Sequence, residues 1–297
     1  MADYTPRPRD DDEISLISMR ELAPSPIEED EFYASDDTAS GSPPSLQKSG
    51  TLPTAIPPAA TSTVGLWLTR TQKYTSYLFL SFLGVHASTA ALSPLLSNLD
   101  SSNPSLLLAR TYYYQSTPTI EALLIPGSLA LHITSGLGLR LYRHLRQRHR
   151  YGGSVPASVS MWRWRNFSTL SRTGYLAIPF VALHAGLNRL IPLWVDGDSS
   201  QIGLEFVAFG FYEGEWGKWI GGAFYAGLIG LVSYHTVFGW SYWMKVSERR
   251  RKLVGAAAVG VAAVWAGGLA KVVVEGKVGG YLGRHYEKLY RVFWRAI

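Results

Sequence analysis

Four histidines, His86, His132, His184 and His235, each sit inside a separate stretch of apolar residues long enough to cross a membrane. Hydrocarbon offers ionisable side chains no water, and a charged residue at mid-bilayer costs about 2.5–3.5 kcal/mol on insertion scales. Such positions therefore point to function. Neutral imidazole is a strong iron ligand and haem is itself largely apolar, so the sharpest chemistry for this set is bis-histidine ligation of haem b. The natural pairs are His86 with His184 and His132 with His235. One turn away the neighbours are often small or polar: Thr89 beside His86, Ser128, Ser135 and Gly136 beside His132, Asn188 after His184, and Gly239 after His235. Small residues leave room for a flat macrocycle, and a hydroxyl or amide can fix an imidazole tautomer. The competing reading is packing, with each histidine bonded to a carbonyl or hydroxyl of an adjacent helix.

The elements that must position these histidines follow from length, since about 20 apolar residues cross the hydrocarbon. Spans are expected over residues 74–97, 118–141, 173–194, 218–244 and 253–273. At 1.5 Å rise per residue, counting from the Arg-rich end places all four histidines roughly 14–18 Å deep, close to a single level. Ala263 and Gly267, and likewise Gly222, Ala226 and Gly230, have the small-residue spacing that lets helix backbones approach, so these faces are expected to pack on neighbours. The fold class is an all-α, polytopic membrane bundle of five transmembrane helices with a disordered N-terminal tail.

Composition divides the chain into unlike parts. Residues 1–63 hold twelve carboxylates against four basic residues, with acidic clusters at Asp10–Glu13 and Glu28–Glu31 and a Pro- and Ser-rich stretch after Gly41. Too little apolar surface is present there to offset chain ordering, so 1–63 reads as a disordered acidic tail. Residues 64–274 form the five-helix membrane domain. The remainder, 275–297, is an amphipathic segment in which Leu282, Tyr286, Leu289, Phe293 and Ile297 share one helical face, while Arg284, Lys288, Arg291 and Arg295 lie largely around the rest. That pattern suits a helix lying in a headgroup layer or one packed on the end of the bundle.

Charge sets an expected orientation. Eight arginines lie between Arg140 and Arg172 and five basic residues between Lys245 and Lys252, whereas Asp196, Asp198, Glu205, Glu213 and Glu215 dominate the connection between the third and fourth spans. The excess of basic residues puts the N-terminal tail and both basic connections on the cytosolic side and the C-terminus opposite. The basic loops favour anionic lipid headgroups over nucleic acid. With no cysteine in the chain, thiolate and disulfide chemistry are excluded. Gly152-Gly153 lacks the strand–helix context of a phosphate loop, and no Ser–His–acid set can be placed. An enzyme is not expected. His144 and His149 fall among arginines in a headgroup-facing connection, and the alternation of indole and guanidinium from Met161 to Arg165 suits a membrane-interface anchor.

An acidic, proline-bearing tail ahead of five spans, a histidine in each of the first four, and an Arg-rich connection after the second together resemble the fungal mitochondrial outer-membrane Mcp adaptor family. Local stretches that carry the resemblance run from Phe82 to His86, from Leu131 to Gly136 and from Ala182 to His184. The resemblance implies a Pro-x-Pro motif that recruits a bridge-like lipid transfer protein of the vacuolar-sorting class. Its nearest match is Pro24-Ser25-Pro26, preceded by Leu22. The membrane domain is also similar in layout to the cytochrome b anchors of succinate dehydrogenase and fumarate reductase, which carry haem on histidines, although nothing in the tail looks like a surface for an iron–sulfur subunit.

The leading expectation is thus a multi-pass adaptor at a membrane contact site, with its N-terminus in the cytosol and its C-terminus in the intermembrane space, recruiting a lipid transfer protein through Leu22, Pro24 and Pro26. Two alternatives stand beside it: a haem b protein in redox or sensing, using His86, His132, His184 and His235, and a phospholipid scramblase coupled to lipid transfer.

Overall fold

A computed structural model describes residues 58–150 and 164–296 of the chain. Every regular element among them is helical, and five helices are long and apolar enough to cross a membrane: Thr63–Leu96, Pro118–Arg148, Thr169–Asp196, Gly217–Trp243 and Glu248–Glu275. The spans expected from the sequence are all present, and all but the fourth are longer than anticipated. The first helix begins at Pro58, inside the stretch expected to be disordered, and the second runs on to Arg150. Only 6–22% of each span's most apolar window is buried within the protein, so the remaining apolar surface requires an apolar solvent. Leu22, Pro24 and Pro26 lie outside the described residues, as do residues 151–163.

Neighbouring spans pack in antiparallel pairs. Along the first and second, a Cβ on Gly65 would meet the Tyr142 ring at 3.0 Å and one on Gly138 would meet Leu68 at 3.1 Å. In the third and fourth, Gly227 closes on Phe180 and Gly174 on His235 in the same way. The fifth span crosses the first at Gly268, where a Cβ would lie 2.3 Å from the carbonyl oxygen of Ala91 and 2.7 Å from its Cα. The small-residue expectation holds for Gly267, which faces Leu95, and fails for Gly222 and Gly230, which have nothing within 4 Å. Spacing alone identifies a smooth face without saying which neighbour covers it.

One end of the bundle is closed by short helices that the apolar pattern did not reveal. Leu99–Ala109 starts at Asn98, whose side chain accepts the Ser101 N–H at 3.0 Å, while the carboxylate of Glu275 accepts the Leu99 N–H at 3.2 Å. Both place acceptor oxygens on donors that a helix start leaves unpaired. Leu204–Tyr212 is clasped to it: Asn103 accepts the Leu204 N–H at 2.9 Å and donates to Glu205 at 2.6 Å. Leu99, Leu106, Leu204, Ala208 and Val272 form one buried cluster there.

The C-terminal helix Gly280–Ala296 completes this end. Tyr286, Leu289, Tyr290 and Phe293 are buried against Ile191, Ile202 and Phe206. The Tyr290 hydroxyl donates to the Phe206 carbonyl at 3.0 Å and the Tyr286 hydroxyl to the Gln201 carbonyl at 3.1 Å. Of the two readings of its amphipathic pattern, packing on the bundle end is the one realised by this face.

Candidate functional site

The bundle brings the four histidines together as the two expected pairs. The ring centres of His86 and His184 are 6.1 Å apart and those of His132 and His235 are 6.2 Å apart. A metal held between two imidazoles at about 2.0–2.1 Å from each nitrogen, with each nitrogen about 1.1 Å from its ring centre, separates the centres by about 6.3 Å. Both spacings are close to that of bis-imidazole ligation and also lie in the ordinary range of ring contacts, and each pair joins one helix of the first antiparallel pair of spans to one of the second.

The pairs occupy two levels, which corrects the single depth inferred from residue counts. His132 Nδ1 lies 3.1 Å from the Gln72 carbonyl, and His86 comes fourteen residues later on that helix, or about 21 Å further along it. His235 Nδ1 lies 3.0 Å from the Leu170 carbonyl, and His184 again follows by fourteen residues. On the fourth span, Tyr225 touches His184 and stands ten residues before His235, a rise of about 15 Å. The first span starts at Thr63, eleven residues before the expected 74, which shifts the depth counted for His86 by about 16 Å.

Each pair has its own surroundings. With a carbonyl accepting from Nδ1, His132 and His235 are set in the tautomer that leaves Nε2 available as a ligand, the arrangement that orients metal-binding imidazoles and makes them more basic. Gly174 makes room for the His235 ring, since a Cβ there would lie 2.5 Å from its Cε1. His86 is held differently. Phe82 stacks on it at 5.5 Å and 10°, Trp265 lies 5.7 Å away, and its buried Nδ1 has no hydrogen-bond partner. His184 Nδ1 has Asn188 Nδ2 at 3.4 Å and the Tyr225 hydroxyl at 3.5 Å, both at the long limit of a hydrogen bond. The orphaned His86 Nδ1 and the Nε2 atoms of His132 and His235 are the nitrogens that could hold a metal.

Beside His86 and His184 lies a cationic network that sequence reading missed. Arg110 donates to the Ile202 carbonyl at 2.8 Å, to the Ser199 carbonyl at 2.5 Å, to the Ser199 hydroxyl and to Gln115 at 3.0 Å. Arg189 makes a bidentate pair with Glu121 at 2.5 and 2.6 Å and reaches the Ser199 hydroxyl at 2.6 Å. The two guanidiniums meet at the Ser199 hydroxyl, and Glu121 is bonded to Arg189. Burial lowers the Arg110 guanidinium from its usual range and pushes the Tyr114 phenol up to about 12, the nearby Arg110 charge opposing the latter. Tyr114 meets Phe82 edge-on at 5.1 Å, and Phe82 carries the contact to His86. Wide π-type turns follow both histidines of this pair, at Ser88–Leu92 and Gly186–Leu190, and another contains Arg110. Such turns recur at functional sites because they re-aim side chains. The available signal was Arg189 itself, a cation within an apolar span five residues after His184.

Residues 179–279 match the family model described as the transmembrane domain of MDM10-complementing protein 1. Over that segment the chain is similar to this family. The matched MDM10-complementing protein 1 domain takes in most of the third span and all of the fourth and fifth, and so includes one histidine of each pair, His184 and His235. No curated protein and no solved structure matches the chain. The family and the five spans make it a multi-pass membrane protein, and the family name points to a mitochondrial membrane.

Proposed function

We propose that the protein is an adaptor of the mitochondrial outer membrane that recruits a bridge-like lipid transfer protein and so supports mitochondrial lipid homeostasis. The observation that carries this reading is the family match over residues 179–279. The bundle is the anchor, and the acidic tail is the recruiting element, with Leu22, Pro24 and Pro26 as the short motif that docks in a partner groove. In this arrangement the tail lies in the cytosol and the helix Gly280–Ala296 on the intermembrane-space side. Pro24→Ala together with Pro26→Ala should abolish recruitment of the lipid transfer protein to mitochondria while leaving the membrane protein at its normal level. Unchanged recruitment in that variant would remove the motif assignment.

A second reading is favoured by the ring spacings of 6.1 and 6.2 Å: the bundle binds haem b at two sites, His86–His184 and His132–His235. Haem would supply one-electron chemistry there. The chain's own contribution is to hold each imidazole pair at ligating distance, set the tautomer through the Gln72 and Leu170 carbonyls, and keep water away within the membrane. This reading is compatible with the adaptor role. Detergent-purified protein supplied with haem should hold two haems per chain, read as haem pigment against protein mass; a folded protein that holds none would exclude it. A scramblase activity coupled to lipid delivery would require leaflet exchange in vesicles above the rate of protein-free liposomes.

A further inference from the structure

We propose that the cavity between the turn at residues 213–216 and the C-terminal helix is a site for the choline headgroup of a membrane phospholipid. Such a site needs neither haem nor the N-terminal tail, and both of those readings stand whatever becomes of it.

The helix Leu204–Tyr212 ends in a turn over residues 213–216 that leads directly into the fourth span at Gly217. Gly214 permits the turn, with φ 64° in the left-handed region that glycine adopts freely. Facing it is the end of the C-terminal helix, where Tyr290 and Trp294 stand four residues apart and so share a face. Between the two elements is a cavity of about 220 Å³, lined by Tyr290 and Trp294, by Trp216, and by the carboxylates Glu213 and Glu215. A trimethylammonium group has room there, since about 10–15 Å³ suffices for one water. Because the fourth span begins at Gly217, the cavity lies where the chain enters the membrane, at the level of the headgroups.

Its chemistry suits a cation. Among the described residues that line it, three are aromatic, two are carboxylates and none is basic. The face of an aromatic ring is the negative end of its quadrupole and attracts an ammonium group. The Tyr290 hydroxyl already donates to the Phe206 carbonyl at 3.0 Å, so the ring is what Tyr290 offers. The surrounding cations leave the two carboxylates uncancelled. Arg291 is bonded to Glu287 on its own helix, Lys218 lies over the Trp219 ring at 5.6 Å, and the exposed Arg295 does not line the cavity. Burial and then the nearby Glu287 hold the Glu213 carboxyl above its ordinary range, with Arg291 opposing, and a cation seated beside it would relieve both effects.

The walls select the type of cation. They are mostly apolar, so a primary ammonium such as that of ethanolamine would lose hydrogen bonds to water that the site does not replace. A trimethylammonium group carries methyls in place of N–H donors and leaves nothing unsatisfied, which is why aromatic cages hold such groups. The adjoining membrane supplies that group on a phospholipid, whose acyl chains would run along the exposed Trp219 and Ile220 at the start of the fourth span.

The test is native mass spectrometry of the full chain in detergent, titrated with phosphatidylcholine, phosphatidylethanolamine or phosphatidylglycerol of identical acyl chains. As the first lipid bound, phosphatidylcholine is expected to be held about tenfold more tightly than phosphatidylethanolamine. Glu215→Gln and Trp294→Ala should each weaken it about fivefold. Trp194→Ala, which removes an exposed indole that does not line the cavity, should leave it unchanged. Choline chloride should displace the bound phosphatidylcholine. Displacement failing, or choline binding where phosphatidylcholine does not, would overturn the assignment to a lipid headgroup. Equal affinity for the two zwitterionic lipids, or an equal loss in Trp194→Ala, would reduce the site to a general aromatic interface. If Trp294→Ala does not fold, Glu215→Gln on the exposed turn still decides the matter.

Discussion

Arg189→Ala is expected to destabilise the bundle by about 3 kcal/mol, because removing one partner of a partly buried ion pair leaves the other charge without compensation. Glu121 is the partner left behind, accepting both guanidinium bonds at 2.5 and 2.6 Å with only 19% of its side chain exposed. The value lies at the lower end of the roughly 3–5 kcal/mol range for broken buried pairs because Gln115 still donates to Glu121 at 3.2 Å. Ser199 also loses a donor, and with it goes a link between the start of the second span, the end of the third and the connection after it. Thermal unfolding in detergent would show the loss as a lowered midpoint. Converting both partners to apolar residues, Arg189→Met with Glu121→Met, should recover most of it, since an apolar pair of similar volume pays no desolvation penalty. A loss below about 1 kcal/mol in Arg189→Ala would mean that water reaches the pair.

Gly268→Val should be comparably damaging for a steric reason. The Cβ it adds would sit 2.3 Å from the Ala91 carbonyl oxygen and 2.7 Å from the Ala91 Cα, and backbone atoms cannot turn aside as a side chain can. The first and fifth helices would have to separate. Overpacking in an ordered core costs about 1–3 kcal/mol and occasionally more, and a contact between two backbones belongs at the upper end. Because Trp265 reaches His86 from the same crossing, the His86–His184 pair should be disturbed as well. Gly255→Val provides the control, since nothing lies within 4 Å of its Cβ position on the same helix. Equal melting of the two variants would mean that the crossing is looser than 2.3 Å implies.

Much of this architecture was legible in the residues because bilayer thickness imposes a length on every apolar run, and five such runs leave few topologies. The four histidines were visible for the same reason, and their partners followed from two antiparallel pairs of spans. Their levels were not legible. The first helix enters as far back as Pro58 and the second continues to Arg150, so the assumed ends from which depth was counted were wrong. Lipid tails are as apolar as leucine, and for that reason the pattern could not say whether Gly222 and Gly230 face protein or membrane while Gly267 and Gly268 face the first span. Arg110, Glu121, Arg189 and Ser199 escaped notice because they come from separate segments, and only tertiary structure gathers them. The C-terminal helix shows the limit in another form: an apolar stripe with Tyr286 and Leu289 requires a cover, and that cover, Ile191, Ile202 and Phe206, is supplied by distant residues.

The most direct test of the paired-histidine site is a reduced-minus-oxidised absorption spectrum of haem-supplied protein beside its single-histidine variants. Sharp α and β bands are predicted for the native chain, with about half the amplitude remaining in His86→Ala or in His235→Ala and none when both are changed. A featureless spectrum from folded native protein, or full amplitude in the doubly substituted chain, would contradict the account and return the histidines to helix packing.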